Sequence, residues 1–244
     1  MMGKRFFIPL LNSLQAIADL IFPPACLHCN ARIGRQKDYL CEECEKALLP
    51  VPEPLCEVCG FPLVDDDCSF CNQQETKLPF DKAASLYKYE GPIRTLIHYM
   101  KFGDMPGIAY YLGRKAKQYI EEKNLFQDVH LITAIPLHAV RFRERGYNQS
   151  GLIASYLAKV NQYSFRAKII YRQRATVPQA NLIKAKRLAN VQDAFKVKKS
   201  VDLKQENILL LDDVFTTGAT VQAACKELKK TNPGKIYILT IGRA

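Results

Sequence analysis

The sequence predicts an α/β protein, a parallel sheet clothed by helices and preceded by a small metal-binding module. Three observations predict it. Apolar runs at 129–135, 208–211 and 236–241 alternate with stretches of helical periodicity, the pattern of strands buried on both faces and joined by helical crossovers. Eight of the nine cysteines fall into four Cys-x-x-Cys pairs. A chain of 244 residues with 48% hydrophobic content is large enough for one medium domain plus a small module. The change of pattern near Pro79 assigns residues 1–78 to an N-terminal helix and the cysteine-rich module, and 79–244 to the α/β domain.

In chain order, residues 6–22 are apolar but interrupted by Asn12, Ser13, Gln15 and Asp19, too broken to span a membrane. Lys4, Arg5 and Ala16-Ile17-Ala18 imitate a secretory signal, yet the unbroken apolar stretch, 6–11, is short for one. Leu10, Leu11, Leu14, Ile17, Ala18 and Ile21 recur at helical spacing, so an amphipathic helix docked on a cytoplasmic protein is expected.

The cysteine pairs are Cys26/Cys29, Cys41/Cys44, Cys56/Cys59 and Cys68/Cys71. A two-residue spacer lets both thiolates of a knuckle face one metal, and two knuckles complete a tetrahedral four-sulfur zinc shell. Eleven residues separate the first two pairs and eight the last two, which suits two consecutive zinc ribbons. Interleaved pairing satisfies two zincs equally, and the sequence leaves both open. A redox dithiol of the thioredoxin type comes singly before a helix, so four pairs in a row read as metal sites. Four thiolates leave no open coordination position, which makes both sites structural. His28 could ligate only by displacing a cysteine. Each four-thiolate zinc carries −2, so two lower the formal +11 to about +7. Cys225, alone on a helix, reads as a small buried apolar residue.

Pro50-Val51-Pro52-Glu53-Pro54 forms a stiff connector between the two halves of the module. Beyond Pro79, a strand is expected at 82–89, broken by Gly91-Pro92. A helix at 93–101 follows, with Ile93, Leu96, Ile97 and Met100 on one face, and a second at 107–123. The strand at 129–135 closes at Pro136. A helix at 147–160 and a strand at 168–172 come next. The strand at 208–211, a helix at 221–230 and a strand at 236–241 complete the pattern. His98 and His138 read as packing or surface residues.

Residues 208–220 carry most of the functional information. Asp212 and Asp213 sit at the carboxyl end of a buried strand, where open α/β sheets place ligands. Thr216-Thr217-Gly218-Ala219-Thr220 then turns the chain into a helix. Small residues let backbone N–H groups approach an anion, and the helix N-terminus favours negative charge. A phosphate can sit on this loop while the two carboxylates reach a diol or a Mg2+ ion. The P-loop pattern is absent, because no Lys-Ser or Lys-Thr follows the glycine.

The loop after Ile135 faces the same sheet edge, and a second basic segment follows later in the chain. Pro136 opens a loop with Arg141, Arg143 and Arg145 beside Gly146, a suitable pyrophosphate clamp because guanidinium binds phosphate oxygens in a bidentate manner. Arg172, Arg174, Thr176, Pro178 and Gln179, then Lys184, Lys186, Arg187 and Asn190, form a long polar stretch with the profile of a loop that closes over substrate. Residues 136–200 hold fourteen Lys and Arg against Glu144 and Asp193, a net of +12, so the rest of the chain sums to −1 of the total +11. That exceeds what one small ligand needs and favours single-stranded DNA as a further partner. Lys184, Lys186, Arg187, Lys196, Lys198 and Lys199 would track phosphates, and Phe142, Tyr147, Tyr163 and Tyr171 would offer stacking faces.

Strand, paired acids and Thr-Thr-Gly-x-Thr resemble the 5-phosphoribosyl-1-pyrophosphate (PRPP) site of type I phosphoribosyltransferases. Phe215 departs from that pattern, being bulkier than the residue usually found there. Nearly the whole chain resembles the ComF family of competence-associated, phosphoribosyltransferase-like proteins. The shared features are Leu-Ile-Phe-Pro-Pro before the first knuckle, the double zinc ribbon, Leu-Ile-His-Tyr-Met-Lys-Phe at 96–102 and Arg-Gly-Tyr-Asn-Gln at 145–149. Arg174-Ala-Thr-Val-Pro-Gln179 with Arg187, Asn190 and Phe195, and the Asp-Asp-Val loop, complete the series. The resemblance implies a type I phosphoribosyltransferase-like sheet, PRPP with Mg2+ as ligand, and a role in natural transformation with a competence-associated DNA helicase as partner. It specifies no acceptor base. Two readings follow: a transferase of ribose 5-phosphate, or a non-catalytic single-stranded-DNA adaptor that uses PRPP as a regulatory ligand or not at all.

Overall fold

The computed structural model describes residues 23–34, 39–174, 193–198 and 201–244. The helix expected at 6–22 lies outside these, as do Thr176, Pro178, Gln179, Lys184, Lys186, Arg187, Asn190 and Lys199. The cysteine-rich module contributes two short helices, α1 (Glu42–Lys46) and α2 (Ser69–Asn72). The α/β domain continues with β1 (Lys82–Lys88), α3 (Gly91–Phe102), α4 (Gly107–Glu122), β2 (Leu131–Ala134), α5 (Ala139–Arg145) and α6 (Gln149–Asn161). Then come β3 (Ser164–Phe165), β4 (Ile170–Arg172), β5 (Phe195–Val197), β6 (Ile208–Phe215), α7 (Ala219–Leu228) and β7 (Ile236–Arg243). Among the described residues no helix is long and apolar enough to cross a membrane.

Five strands pair in the order β1-β7-β6-β2-β3, every neighbour parallel. The apolar runs explain the centre of this sheet: Ile208 to Leu211 of β6 have no solvent exposure, and every residue of β7 is buried. One face packs against α3, α4 and α6 through Ile97, Leu112, Ile153 and Leu157. The other packs against α7 through Val221, Ala224, Cys225 and Leu228. Cys225 is thus the buried apolar residue expected. Ser85 and Thr240, buried between β1 and β7, satisfy each other at 2.7 Å.

The structure differs from the sequence reading in several places, among them the following. The strand expected to stop at Leu211 runs on through both aspartates to Phe215, because β7 is equally long and pairs with it as far as Arg243. The strand at 168–172 does not enter the parallel sheet; it shortens to β4 and pairs antiparallel with β5. The arginine segment after Ile135 is the helix α5. His138 caps it, with Nδ1 accepting from the Val140 N–H at 3.3 Å, and Gly146 ends it at φ 80°.

The cysteines group consecutively: Cys26, Cys29, Cys41 and Cys44 in one cluster, Cys56, Cys59, Cys68 and Cys71 in the other, with all sulfurs of a cluster within 4.8 Å of one another. A zinc–sulfur bond of about 2.3 Å places tetrahedral sulfurs about 3.8 Å apart. The closest pair of each cluster, Cys29–Cys41 at 3.6 Å and Cys59–Cys68 at 3.4 Å, lies slightly inside that spacing, and Cys56–Cys71 at 3.8 Å matches it. Burial pushes the thiols of Cys44, Cys59 and Cys71 up, whereas at Cys26 and Cys56 burial is more than offset by N–H groups of the knuckles, which hold them down at about 6 and about 7. His28 turns away, with Nδ1 2.9 Å from Thr95 Oγ1.

The two ribbons straddle the sheet. Cys26, Leu40, Cys44 and Leu48 join the core on the α3/α4 face, whereas Cys59, Cys68, Leu78 and Phe80 join the core on the α7 face. The connector between them runs along β1. Lys88 N–H donates to Leu49 O at 2.8 Å, Val51 N–H to Leu86 O at 3.4 Å, and Ala83 N–H to Val58 O at 2.7 Å. Metal analysis after gel filtration is expected to give about two zinc per chain, and a metal-free, folded, reducible protein would overturn the assignment.

Candidate functional site

The strands β2 and β6 are neighbours, and the helices α6 and α7 that follow them pack on opposite faces of the sheet. The segments leaving their carboxyl ends therefore part company and open a crevice, the place where open α/β sheets bind ligands. Asp212 and Asp213 stand in the last turn of pleat of β6 beside it.

Asp213 is 6% exposed, so its carboxylate has to be paired. Lys101 Nζ, from the last turn of α3, lies 2.9 Å from Oδ1, and Gln149 Nε2, from the first turn of α6, donates to Oδ2 at 2.6 Å. Arg145 Nη1 in turn donates to Gln149 Oε1. Burial alone would lower Lys101, but the Asp213 carboxylate outweighs it and the net displacement is upward.

Asp212 sits beside this pair. Its Oδ1 accepts from Asp213 N–H at 2.8 Å and from Ser150 Oγ at 3.4 Å. Burial, and then the charge of Asp213, push its carboxyl up to about 7, while Lys101 and Arg172 act in the opposite sense. The Arg172 guanidinium is held 5.3 Å over the Phe195 ring at the end of β4. The two acids thus differ in kind: Asp213 is locked in an ion pair, and Asp212 is available to change state near neutral pH.

Thr216, Thr217 and Gly218 join β6 to α7, and Ala219 and Thr220 are the first two residues of that helix. Gly218 takes φ +71°, and a Cβ there would come 2.8 Å from Phe215 Cζ and 3.1 Å from Phe70 Cζ, so only glycine fits. Thr217 Oγ1 accepts from Ala219 N–H at 3.4 Å. The ten-residue helix α7 starts at Ala219, earlier than the periodicity alone indicates, and places its positive end at the crevice.

On the far side lies a cleft of about 560 Å3 lined by Lys101, Phe102, Asp104, Arg141, Arg143, Glu144, Arg145 and Gly146. All three arginines of α5 reach it. Arg141 pairs with Glu144 at 3.0 Å, and Arg145 stands 5.6 Å over the Phe102 ring. Lys101 belongs both to this cleft and to Asp213, which joins the arginines to the acids. Pro136 is half-buried where β2 ends. Arg174 is exposed, and the β4 residue whose charge acts on Asp212 is Arg172.

Pattern did not single out Lys101, Gln149 or Ser150 as site residues, and it named Arg172 only as the start of the segment expected to close over substrate. Gln149 and Ser150 did carry a signal, since both are polar, buried, and lie in the first turn of an otherwise apolar helix. Of the proposed DNA contacts, Lys198 is exposed and Lys196 half-buried; Lys184, Lys186, Arg187 and Lys199 lie outside the described residues. Phe142 and Tyr171 are exposed at 49% and 46% and remain free to stack. Tyr147 and Tyr163 do not: both pack on the core, and Tyr147 Oη donates to Met100 O at 2.7 Å.

Residues 17–75 match the family model of the double zinc ribbon domain, and residues 106–242 that of the phosphoribosyl transferase domain, more than half of the chain. Competence protein F of Haemophilus influenzae is 28% identical over 225 residues, covering 90% of this chain and 96% of its own. The DNA utilization protein YhgH of Salmonella typhimurium is 28% identical over 229 residues, 92% and 99%. Competence protein ComFC of Bacillus subtilis is 26% identical over 238 residues, 90% and 95%. The parallel α/β sheet, the crevice at its carboxyl edge and the paired four-cysteine clusters agree with these matches, and the chain belongs to the ComF family of competence-associated proteins, built from a double zinc ribbon and a phosphoribosyl transferase domain.

Proposed function

We propose that the crevice between β2 and β6 binds PRPP and transfers its ribose 5-phosphate to an acceptor, releasing pyrophosphate. One observation carries this reading: two differently held carboxylates stand between a glycine-turned helix N-terminus and an arginine-lined cleft. The loop from Thr216 to Thr220 holds the 5′-phosphate, and Asp212 and Asp213 hold the ribose 2′- and 3′-hydroxyls. Arg141, Arg143 and Arg145 receive the leaving pyrophosphate, with Arg174 and the segment after it closing over the ligand. Positive charge fixed where negative charge develops is a large source of rate enhancement in such transfers. Asp212 and Asp213 are also the oxygen donors suited to Mg2+, which when bound to PRPP neutralises the pyrophosphate.

The curated relatives' names, competence protein and DNA utilization protein, support single-stranded DNA as a second partner. So does the net +12 of residues 136–200, together with the exposed Tyr171, the Lys196 beside it in register and the exposed Lys198 on the β4–β5 ribbon. Under the second reading, PRPP serves as a regulatory ligand, and the protein acts as an adaptor between the strand and a competence-associated DNA helicase. Measuring PRPP consumption against a panel of bases and single strands separates the two.

Asp213→Ala is expected to weaken PRPP–Mg2+ binding in calorimetry at least tenfold, about 1.4 kcal/mol; unchanged binding would move the site elsewhere. Because Asp212 is raised to about 7 and binds the diol as a carboxylate, PRPP affinity should climb as pH rises from 6 to 8 with proton release on binding. Calorimetry in buffers of differing ionisation heat reads that proton, and a pH-independent affinity would remove Asp212 from the contact. Binding to single strands, followed by anisotropy, should weaken steeply with salt, with a log–log slope of about −0.7 per neutralised phosphate. Replacing Lys196, Lys198 and Lys199 with Ala should flatten that slope and leave PRPP affinity unchanged. Absence of salt-sensitive binding leaves the transferase reading alone.

A further inference from the structure

Arg243, the last residue of β7, is 6% exposed and has no carboxylate partner among the described residues. A buried guanidinium left uncompensated is costly. Its charge is met in two other ways. The guanidinium lies 4.3 Å from the centre of the Phe215 ring, 4.9 Å from that of Phe61 and 5.6 Å from that of Phe70, and Nη1 donates to Cys59 O at 2.8 Å. Nε and Nη2 are buried without a hydrogen-bond partner, and the negative groups acting on them are the sulfurs of Cys59, Cys68 and Cys56. A zinc held by four thiolates, with its net −2, is the counter-charge this cation fits.

The other end of the stack is the phosphate loop. Phe215 immediately precedes Thr216 and pairs with Arg243 in the β6–β7 register. Phe70, on α2 between the ligands Cys68 and Cys71, meets Phe215 edge-on at 5.5 Å, and Phe80 meets it at 6.5 Å. Gly218 turns against the tips of Phe215 and Phe70. Gln222 Nε2, in the first turns of α7, lies 3.1 Å from Gln74 Oε1 in the segment after α2. The bulk of Phe215, unusual beside the family pattern, is accounted for by this stack. The first cluster lies in the opposite core and shares none of these contacts among the described residues.

We propose that Arg243 is a positioning residue that couples the second zinc centre to the phosphate loop, so that zinc held by Cys56, Cys59, Cys68 and Cys71 and a phosphate monoester on residues 216–220 support each other's binding. The ligand half rests on the PRPP reading above. Coupling between two sites is reciprocal, which gives the proposal two faces to measure.

In the zinc-loaded full chain, PRPP–Mg2+ should slow alkylation of the second cluster in a zinc-selective chelator at least about fivefold, with the first cluster unchanged; mass spectrometry reads each cysteine. Arg243→Met should abolish that selective protection and weaken PRPP binding about tenfold. Arg243→Lys should restore zinc retention but not PRPP affinity, since an ammonium supplies the charge without the planar stack on Phe215. Should Arg243→Met fail to fold, Phe70→Leu carries the same expectation from the ribbon side. Equal protection of both clusters, or parental PRPP affinity in the Met variant, overturns the coupling. If the parent protein does not bind PRPP, the ligand reading falls on its own. Amide exchange over residues 214–222 then decides the strut, and unaltered exchange in Arg243→Met overturns it.

Discussion

The burial of Asp213 is the constraint on which the site depends. Its carboxylate is satisfied from two directions, by Lys101 at 2.9 Å and Gln149 at 2.6 Å. Those residues come from α3 and α6, and Arg145 of α5 extends the chain through Gln149. Apolar packing places these helices against the sheet, but it is not directional and would tolerate small slides and rotations. Hydrogen bonds to one buried charge do not. The pairing fixes the rotation of α3 and α6, and it brings the arginine cleft to the aspartates. It also leaves Asp212 with the charge of its neighbour beside it, which helps raise that carboxyl to about 7.

Much of this was legible in the sequence, for identifiable reasons. The run Ile208 to Leu211 is apolar because both its faces are covered, and eight cysteines at two-residue spacing have few uses besides a metal. The loop Thr216 to Thr220 carries its own backbone chemistry. What escaped depends on partners distant in sequence. The strand β6 extends past its acids only because β7 pairs with it as far as Arg243. The helix α5 has no apolar face to announce it and rests on the His138 cap. Consecutive zinc grouping is a matter of how the knuckles fold, and Lys101 looks like any cation at a helix end until Asp213, 112 residues away, is placed against it.

The two ribbons have different standing in the molecule although their cysteine spacing is alike. One closes over the face that carries α3 and α4. The other supplies Phe61 and Phe70 to the stack beneath residues 216–218, with the Arg243 guanidinium against these rings and bonded to Cys59 O.

The connector along β1 has a consequence of its own. In the order β1-β7-β6-β2-β3, β1 is an outermost strand, and the backbone groups at Ala83, Leu86 and Lys88 are taken up by residues 49, 51 and 58. An uncovered rim of a parallel sheet is a template on which another chain can add a strand. The module shields that rim, and the two four-cysteine clusters sit at its ends on either face. Chelation would therefore do more than loosen a small appendage. It would bare β1 and leave the sheet open to edge-to-edge pairing with its own copies, so that metal loss would show first as self-association and only later as unfolding.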